Sequence, residues 1–258
     1  MRDFKKKIIA LLLALMMLVL SGCGGDPEDY VQYIQYAADM GQEIWEYYES
    51  QSNIQSVEVD DYSISLEDIP EYSGEPYIVV GDNVPFFYED ELSEESYEYY
   101  SDLDSLNRCG EAMASLSRDT MPTKKRESIS HVKPSGWQIA KYDFVDGKYL
   151  YNRCHLIGFQ LSAENDNWGN LITGTRYLNT EGMLPFENMV ADYIKETGNH
   201  VMYRVTPMFY GDELVARGVL MEAFSVEDYG EGICFNVYCY NVQPGVIIDY
   251  ETGDNWFE

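Results

Sequence analysis

Three runs near the C-terminus alternate apolar and polar residues with only turns between them: Val201 to Val205, Val215 to Met221 and Ile233 to Tyr240. Alternation at every second residue turns one side of each run into a core. Gly211-Asp212 and Gly230-Glu231-Gly232 supply the turns. Strands that follow one another without intervening helices pair antiparallel, so the fold class is α+β around a central antiparallel sheet. A helix precedes them at 185–197, with Pro185 in its first turn and Gly198 just past its end. Phe186, Met189, Val190, Tyr193 and Ile194 fall on one side of that helix and predict its buried face.

Upstream, Asp143 to Tyr151 reads as a hairpin turning at Asp146-Gly147, which puts His155 at or just past the end of its second strand. Residues 104–116 read as a short helix, and Tyr77 to Val80 as a strand followed by a turn and an extended piece. The folded domain is expected from about Ile69 to the C-terminus (69–258), long enough for one domain with a full core.

The N-terminus carries other signals. Arg2, Lys5, Lys6 and Lys7 precede thirteen apolar residues, Ile8 to Leu20, too few to span a bilayer as a helix. Leu20-Ser21-Gly22-Cys23 is similar to a bacterial lipobox, which implies a signal peptide over 1–22, lipidation of Cys23 and a surface lipoprotein; an ordinary cleaved signal is the alternative. Residues 23–68 read as an acidic, Tyr-rich spacer, with a solvated helix over 28–50. From Asp26 to Asp104 there are 23 acidic residues and no Lys or Arg, which accounts for most of the net charge of −28. Residues 105–180 run the other way, with ten basic and seven acidic side chains. Lys124, Lys125 and Arg126 cluster there and, with Arg176, are candidates for drawing in a phosphate backbone. Trp137 is expected in the core, with stacking on a base as the alternative.

The chemistry concentrates in Asn152-Arg153-Cys154-His155, followed by Asn170, Asn179 and Glu187. A histidine titrates near neutrality and can deprotonate water. An asparagine carbonyl can hold a magnesium-like ion that keeps most of its waters, and a nearby carboxylate can order those waters. An arginine fork grips phosphate oxygens. Together these are the parts of metal-assisted phosphodiester hydrolysis.

Asn-Arg-Cys-His at 152–155 resembles a variant of the Asp-Arg-Gly-His motif of the DNA/RNA non-specific endonucleases, built on the ββα-metal (His-Me) finger. The spacing Asn170-x8-Asn179-x7-Glu187 is similar to that family's. The resemblance runs from about Ile69 to the C-terminus and is closest to the exported Gram-positive branch. It implies His155 as general base, Asn179 as direct metal ligand, Asn170 and Glu187 in support of the metal's waters, and Arg153 near the phosphate. It implies magnesium, for which manganese can substitute, as cofactor, DNA or RNA as substrate, and cleavage with little sequence preference. Asn152 and Cys154 depart from the motif, standing for Asp and Gly. Activity is expected to fall below about pH 6.5, where a free histidine protonates.

Two rivals use the same residues differently. One is a catalytically silent lipoprotein that captures DNA on the nuclease scaffold. The other is a cysteine hydrolase with Cys154 as nucleophile, in which the amides and Glu187 would be idle. Cys109, Cys154, Cys234 and Cys239 allow three disulfide pairings. Cys234 and Cys239 point to opposite faces of one strand and are poor mutual partners. His131 and His200 have no partners in a motif and are expected to be structural, and no Cys/His set suggests zinc.

Overall fold

The structure, a computed structural model, describes residues 56–57 and 64–258. The signal sequence, Cys23 and the expected helix over 28–50 lie outside the described residues. In chain order the first strands are β1 (Ser56–Val57), β2 (Tyr77–Val80), β3 (Tyr97–Tyr100), β4 (Ala112–Leu116) and β5 (Tyr151–His155). Helix α1 (Phe159–Ser162), strand β6 (Leu171–Thr175) and helix α2 (Leu184–Thr197) follow. The chain then runs through β7 (Val201–Met208), β8 (Gly218–Ser225), β9 (Cys234–Tyr240), β10 (Val246–Ile248) and β11 (Asn255–Phe257).

Seven strands form one sheet in the order β1-β2-β9-β8-β7-β4-β3, antiparallel at every pairing except β1 with β2. The three alternating runs are its centre, as their pattern requires. Val201, Tyr203 and Val205 share a face with Val219, Met221, Ala223, Phe235, Val237 and Cys239, and all are buried. Helix α2 packs on this face through Phe186, Val190, Ala191 and Ile194. It starts and stops where the sequence says: Pro185 lies in its first turn, and Gly198, at φ 80°, closes it in the left-handed conformation. Met189 departs from the expected stripe and is half exposed.

The opposite face is covered by the segment after β2. Arg204 and Glu222, neighbours across β7 and β8, pair at 2.8 Å, and the Phe86 backbone N–H donates to Glu222 while its carbonyl accepts from Arg204. Both charges thus keep hydrogen bonds where burial would otherwise penalise them. Ile64, Leu66 and Ile69 pack against Ile78, Leu220 and Tyr238, so packing reaches slightly upstream of Ile69.

Two expectations need correction. Residues 104–116 are not a helix: a turn at Asp104 to Arg108 leads into β4, all five residues of which are buried between β3 and β7. Ala112, Met113 and Ala114 are good helix formers, but a central strand covered on both faces outweighs local propensity. Residues 143–151 are not a two-stranded hairpin either. They hold a loop closed by a single bridge, Lys141 to Tyr149, and His155 instead ends β5, whose partner is β6.

Candidate active site

Strands β5 and β6 pair antiparallel, with His155 opposite Leu171, and the chain returns through a π-helical turn (Leu178–Met183) directly into α2. Two strands and a helix therefore carry the motif residues toward one another. A cleft of about 250 Å³ opens between them, lined by Arg126, His155, Gly158, Phe159, Gln160, Asn179, Leu184 and Glu187.

His155 is 6 % exposed, and its two ring nitrogens have different partners. Nε2 lies 2.9 Å from the Asn165 backbone carbonyl, and Nδ1 lies 3.2 Å from Arg126 Nη2. A carbonyl only accepts, so Nε2 carries the proton and donates. A guanidinium only donates, so Nδ1 accepts with its lone pair. The ring is thereby fixed as the neutral tautomer with a bare Nδ1 on the Arg126 side. Burial, with Arg126 adding to it, holds the imidazole down at about 4, against the Asn165 carbonyl, which favours the cation.

Glu187 behaves in the opposite sense. Burial pushes its carboxyl up to about 7, although the Gln160 amide and the Arg126 guanidinium favour the anion. The carboxylate lies over Gly158, where an added Cβ would sit 2.5 Å from Oε2, so only glycine leaves it room. The half-buried Asn179 side chain faces the same cleft and, among the described residues, its amide has no hydrogen-bond partner.

Five other expected site residues are placed elsewhere. Asn170 is fully buried away from the cleft and clamps the backbone of one residue: its Oδ1 accepts from Ile157 N at 2.8 Å and its Nδ2 donates to Ile157 O at 3.0 Å. Its amide is consumed in shaping the turn after His155, so it positions rather than orders waters. Asn170→Ala is expected to cost about 2–4 kcal/mol, because both Ile157 groups lose a buried partner; urea denaturation measures it. Arg153 lies outside the cleft lining. Its Nε donates to the Val132 carbonyl and its Nη2 to Ser130 O at 2.8 Å, while its guanidinium stacks 4.0 Å from the Trp137 ring centroid. Arg176 pairs with Asp146 at 2.7 Å, and Lys124 and Lys125 are exposed beyond the lining. Of the basic cluster, Arg126 alone reaches the cleft.

Gln160, Phe159 and the Asn165 carbonyl were not foreseen. Gln160 and Phe159 follow the motif directly, and that proximity was the only signal; the carbonyl has none in sequence.

Cys154 is fully buried and, as the neighbour of His155 in an extended strand, points to the other side of β5. Its Sγ fills the space that a side chain at Gly174 would take, 2.4 Å from the added Cβ. Gly174 thus explains how this chain tolerates cysteine at that motif position. Burial pushes the thiol far up, so it is no nucleophile, and alkylating reagents should leave it unmodified in the folded protein. All four described cysteines are free. His200 pairs with Glu227 at 2.7 Å and His131 with Asp166 at 3.2 Å, both away from the cleft lining. Trp137 packs against the cluster of Leu150, Tyr151 and Val246, as expected.

Residues 88–226 match the family described as DNA/RNA non-specific endonuclease. Among solved structures, the chain is similar to NucA from Streptococcus agalactiae with magnesium bound, at 25 % identity and a TM-score of 0.62, over 70 % of this chain and 86 % of that one. It is similar to Sda1 nuclease with a bound zinc ion at 27 % identity and a TM-score of 0.59, over 71 % of this chain and 97 % of that one. Metal-free NucA, at 23 % identity and a TM-score of 0.64, shares the fold over 75 % of this chain and 92 % of its own.

Proposed function

Because the chain belongs to the DNA/RNA non-specific endonuclease family, we propose that this nuclease hydrolyses DNA, and RNA as the alternative substrate, with His155 as general base and a divalent cation held at Asn179. The observation that carries the reading is the fixed tautomer of His155, whose unprotonated Nδ1 accepts from Arg126 beside a cleft that also holds an unpartnered amide and a carboxylate.

The donors suit a hard cation. Asn179 and Glu187 offer oxygen only, and no group of three His, Cys, Asp or Glu is found among the described residues. A site with so few protein ligands fits magnesium, which keeps most of its waters, better than a structural zinc centre. The raised carboxyl of Glu187 agrees, since a buried acid beside a cation site ionises when the cation arrives. When bound, the cation supplies positive charge to the phosphate and the departing oxygen.

The chain's own residues do the rest. Nδ1 of His155 takes the proton of the attacking water, while the Asn165 carbonyl holds the ring and favours the imidazolium that forms. In the free protein Arg126 donates to Nδ1. A phosphate in the cleft offers Arg126 an anionic acceptor, so the guanidinium turns to a non-bridging oxygen and leaves Nδ1 bare for water. Asn170 keeps the turn at Ile157 in shape.

Residues 1–22 are read as a lipoprotein signal, Cys23 as the lipidated residue, 23–68 as an acidic spacer and 69–258 as the nuclease domain, exported to the surface of a Gram-positive cell. The basic, apolar and small-residue pattern before Cys23 supports this.

The test is supercoiled plasmid, and separately RNA, incubated with magnesium, with manganese and with EDTA. Cleavage to a smear with either metal and none with EDTA is expected. Plasmid left intact under every metal but retarded on the gel would replace this reading with DNA capture.

A further inference from the structure

The segment before β5 carries a feature that the cleft does not use. Leu150 N donates to Ala140 O, and Lys141 bridges Tyr149, so 140–141 runs antiparallel beside 149–150. Lys141 thus lies opposite Tyr149, and farther along the same two segments Trp137 lies against Arg153. Each of these pairs is a cation over a ring: Arg153 stands 4.0 Å from the Trp137 centroid and Lys141 Nζ 4.5 Å from that of Tyr149. Within each segment the two pairs are four residues apart, a separation of at most roughly 14 Å. Arg153 is two residues from His155 on the same strand, so the row leads away from the cleft.

The Tyr149 end of this row is open to solvent, and the surface around it is basic. Tyr149 is 50 % exposed and Ile139, between Trp137 and Lys141, is 76 % exposed. Residues 122–153 carry seven basic side chains (Lys124, Lys125, Arg126, Lys133, Lys141, Lys148, Arg153) and three acidic ones (Glu127, Asp143, Asp146), a local +4 in a chain of −28. A solvent-facing ring flanked by cations is what an unpaired nucleic-acid strand requires: a flat partner for a base and charge along its backbone. A polyanion without bases would need only the charge.

Resting on the nuclease reading, we propose that this row is a docking track for the single strand that extends from the cleft, with one base stacked on Tyr149 and flanking phosphates on Lys141 and Arg153. The charge complementarity selects a nucleic-acid strand over a neutral or acidic partner. The track makes the enzyme prefer unpaired or locally melted substrate, because a paired base has no free face for Tyr149.

The experiment uses the full-length protein in EDTA, where binding is read without cleavage, and an oligothymidylate of about a dozen nucleotides, enough to reach beyond the cleft. A strand of equal length without bases is the companion probe. Tyr149→Ala is expected to weaken the oligothymidylate about tenfold, the loss of one stacked base, and to leave the baseless strand unchanged. Tyr149→Phe, which keeps the ring, is expected to bind as wild type. With magnesium, Tyr149→Ala is expected to raise KM for the oligonucleotide and to leave turnover of bis(p-nitrophenyl) phosphate, which fills only the cleft, unaltered. Equal affinity of wild type and Tyr149→Ala for oligothymidylate would overturn the proposal, and so would an equal loss for both probes. A wild-type protein that binds in this pattern yet never cleaves would sink the catalytic reading and leave the track standing.

Discussion

His155→Ala is expected to lower the rate of phosphodiester cleavage by about 10²–10⁴-fold, the range for loss of a positioned acid–base group. Substrate affinity should be nearly unchanged, because Arg126 and the basic surface remain. The same substitution has a signature in stability that a merely damaged fold would not give. His155 sits at about 4 in the folded protein against 6.5 for a free imidazole, so between those values the unfolded chain binds a proton that the folded one refuses. Stability from this residue is therefore complete above pH 6.5 and drains as pH falls toward 4, by up to about 3 kcal/mol. Urea denaturation of His155→Ala between pH 4 and 7 should show a flatter dependence on pH than wild type. An equally steep dependence would mean that the buried neutral imidazole is not what the acid limb of stability reports.

Glu187→Gln should separate stability from activity in the other direction. The carboxyl is raised to about 7 from 4.5, so the folded state prefers it protonated. Its contribution is unstrained below about pH 4.5 and becomes a cost as pH rises through 7, roughly 2–3 kcal/mol at full ionisation. The glutamine removes that cost, so the metal-free variant should melt higher than wild type at pH 8 and alike at pH 4. Cleavage should fall about 10–100-fold, as for outer partners of a metal site. Magnesium relieves the same cost in wild type, so its stabilisation should be larger at pH 8 than at pH 5, and that pH dependence should be nearly absent in the glutamine variant, which keeps Asn179. Identical magnesium shifts in the two proteins would remove Glu187 from the cation's surroundings.

What the sequence made legible follows from which signals are local. Helix α2 was readable because Pro185, Gly198 and the apolar stripe each act within one helix. The central strands β7, β8 and β9 were readable because one face is a single core and alternation marks it. Strand β4 was not, since all five of its residues are buried and Ala112-Met113-Ala114 shows no period at all. At the site, His155, Asn179 and Glu187 were legible from order and spacing along the chain. Which arginine reaches the cleft was not. Arg153 is beside His155 in sequence, yet the backbone carbonyls at Ser130 and Val132 and the ring of Trp137 hold it elsewhere. Arg126, 29 positions upstream of His155, arrives through a loop whose course only tertiary packing sets. Asn170 carries the right spacing, but its amide closes on Ile157, a contact invisible in a motif. Burial of the imidazole is likewise a property of the fold, and it sets the expected acid limb below the pH 6.5 of a free histidine.

The most direct measurement of the central claim is the pH dependence of kcat/KM for a short phosphodiester, at saturating magnesium, for wild type and His155→Ala in parallel. Wild type is expected to lose activity on the acid side with an ionisation well below 6.5, near 4. The variant should run at least a hundredfold slower and lack that ionisation. A variant within tenfold of wild type that keeps the same acid limb would show that another group takes the proton, and His155 would no longer be the base.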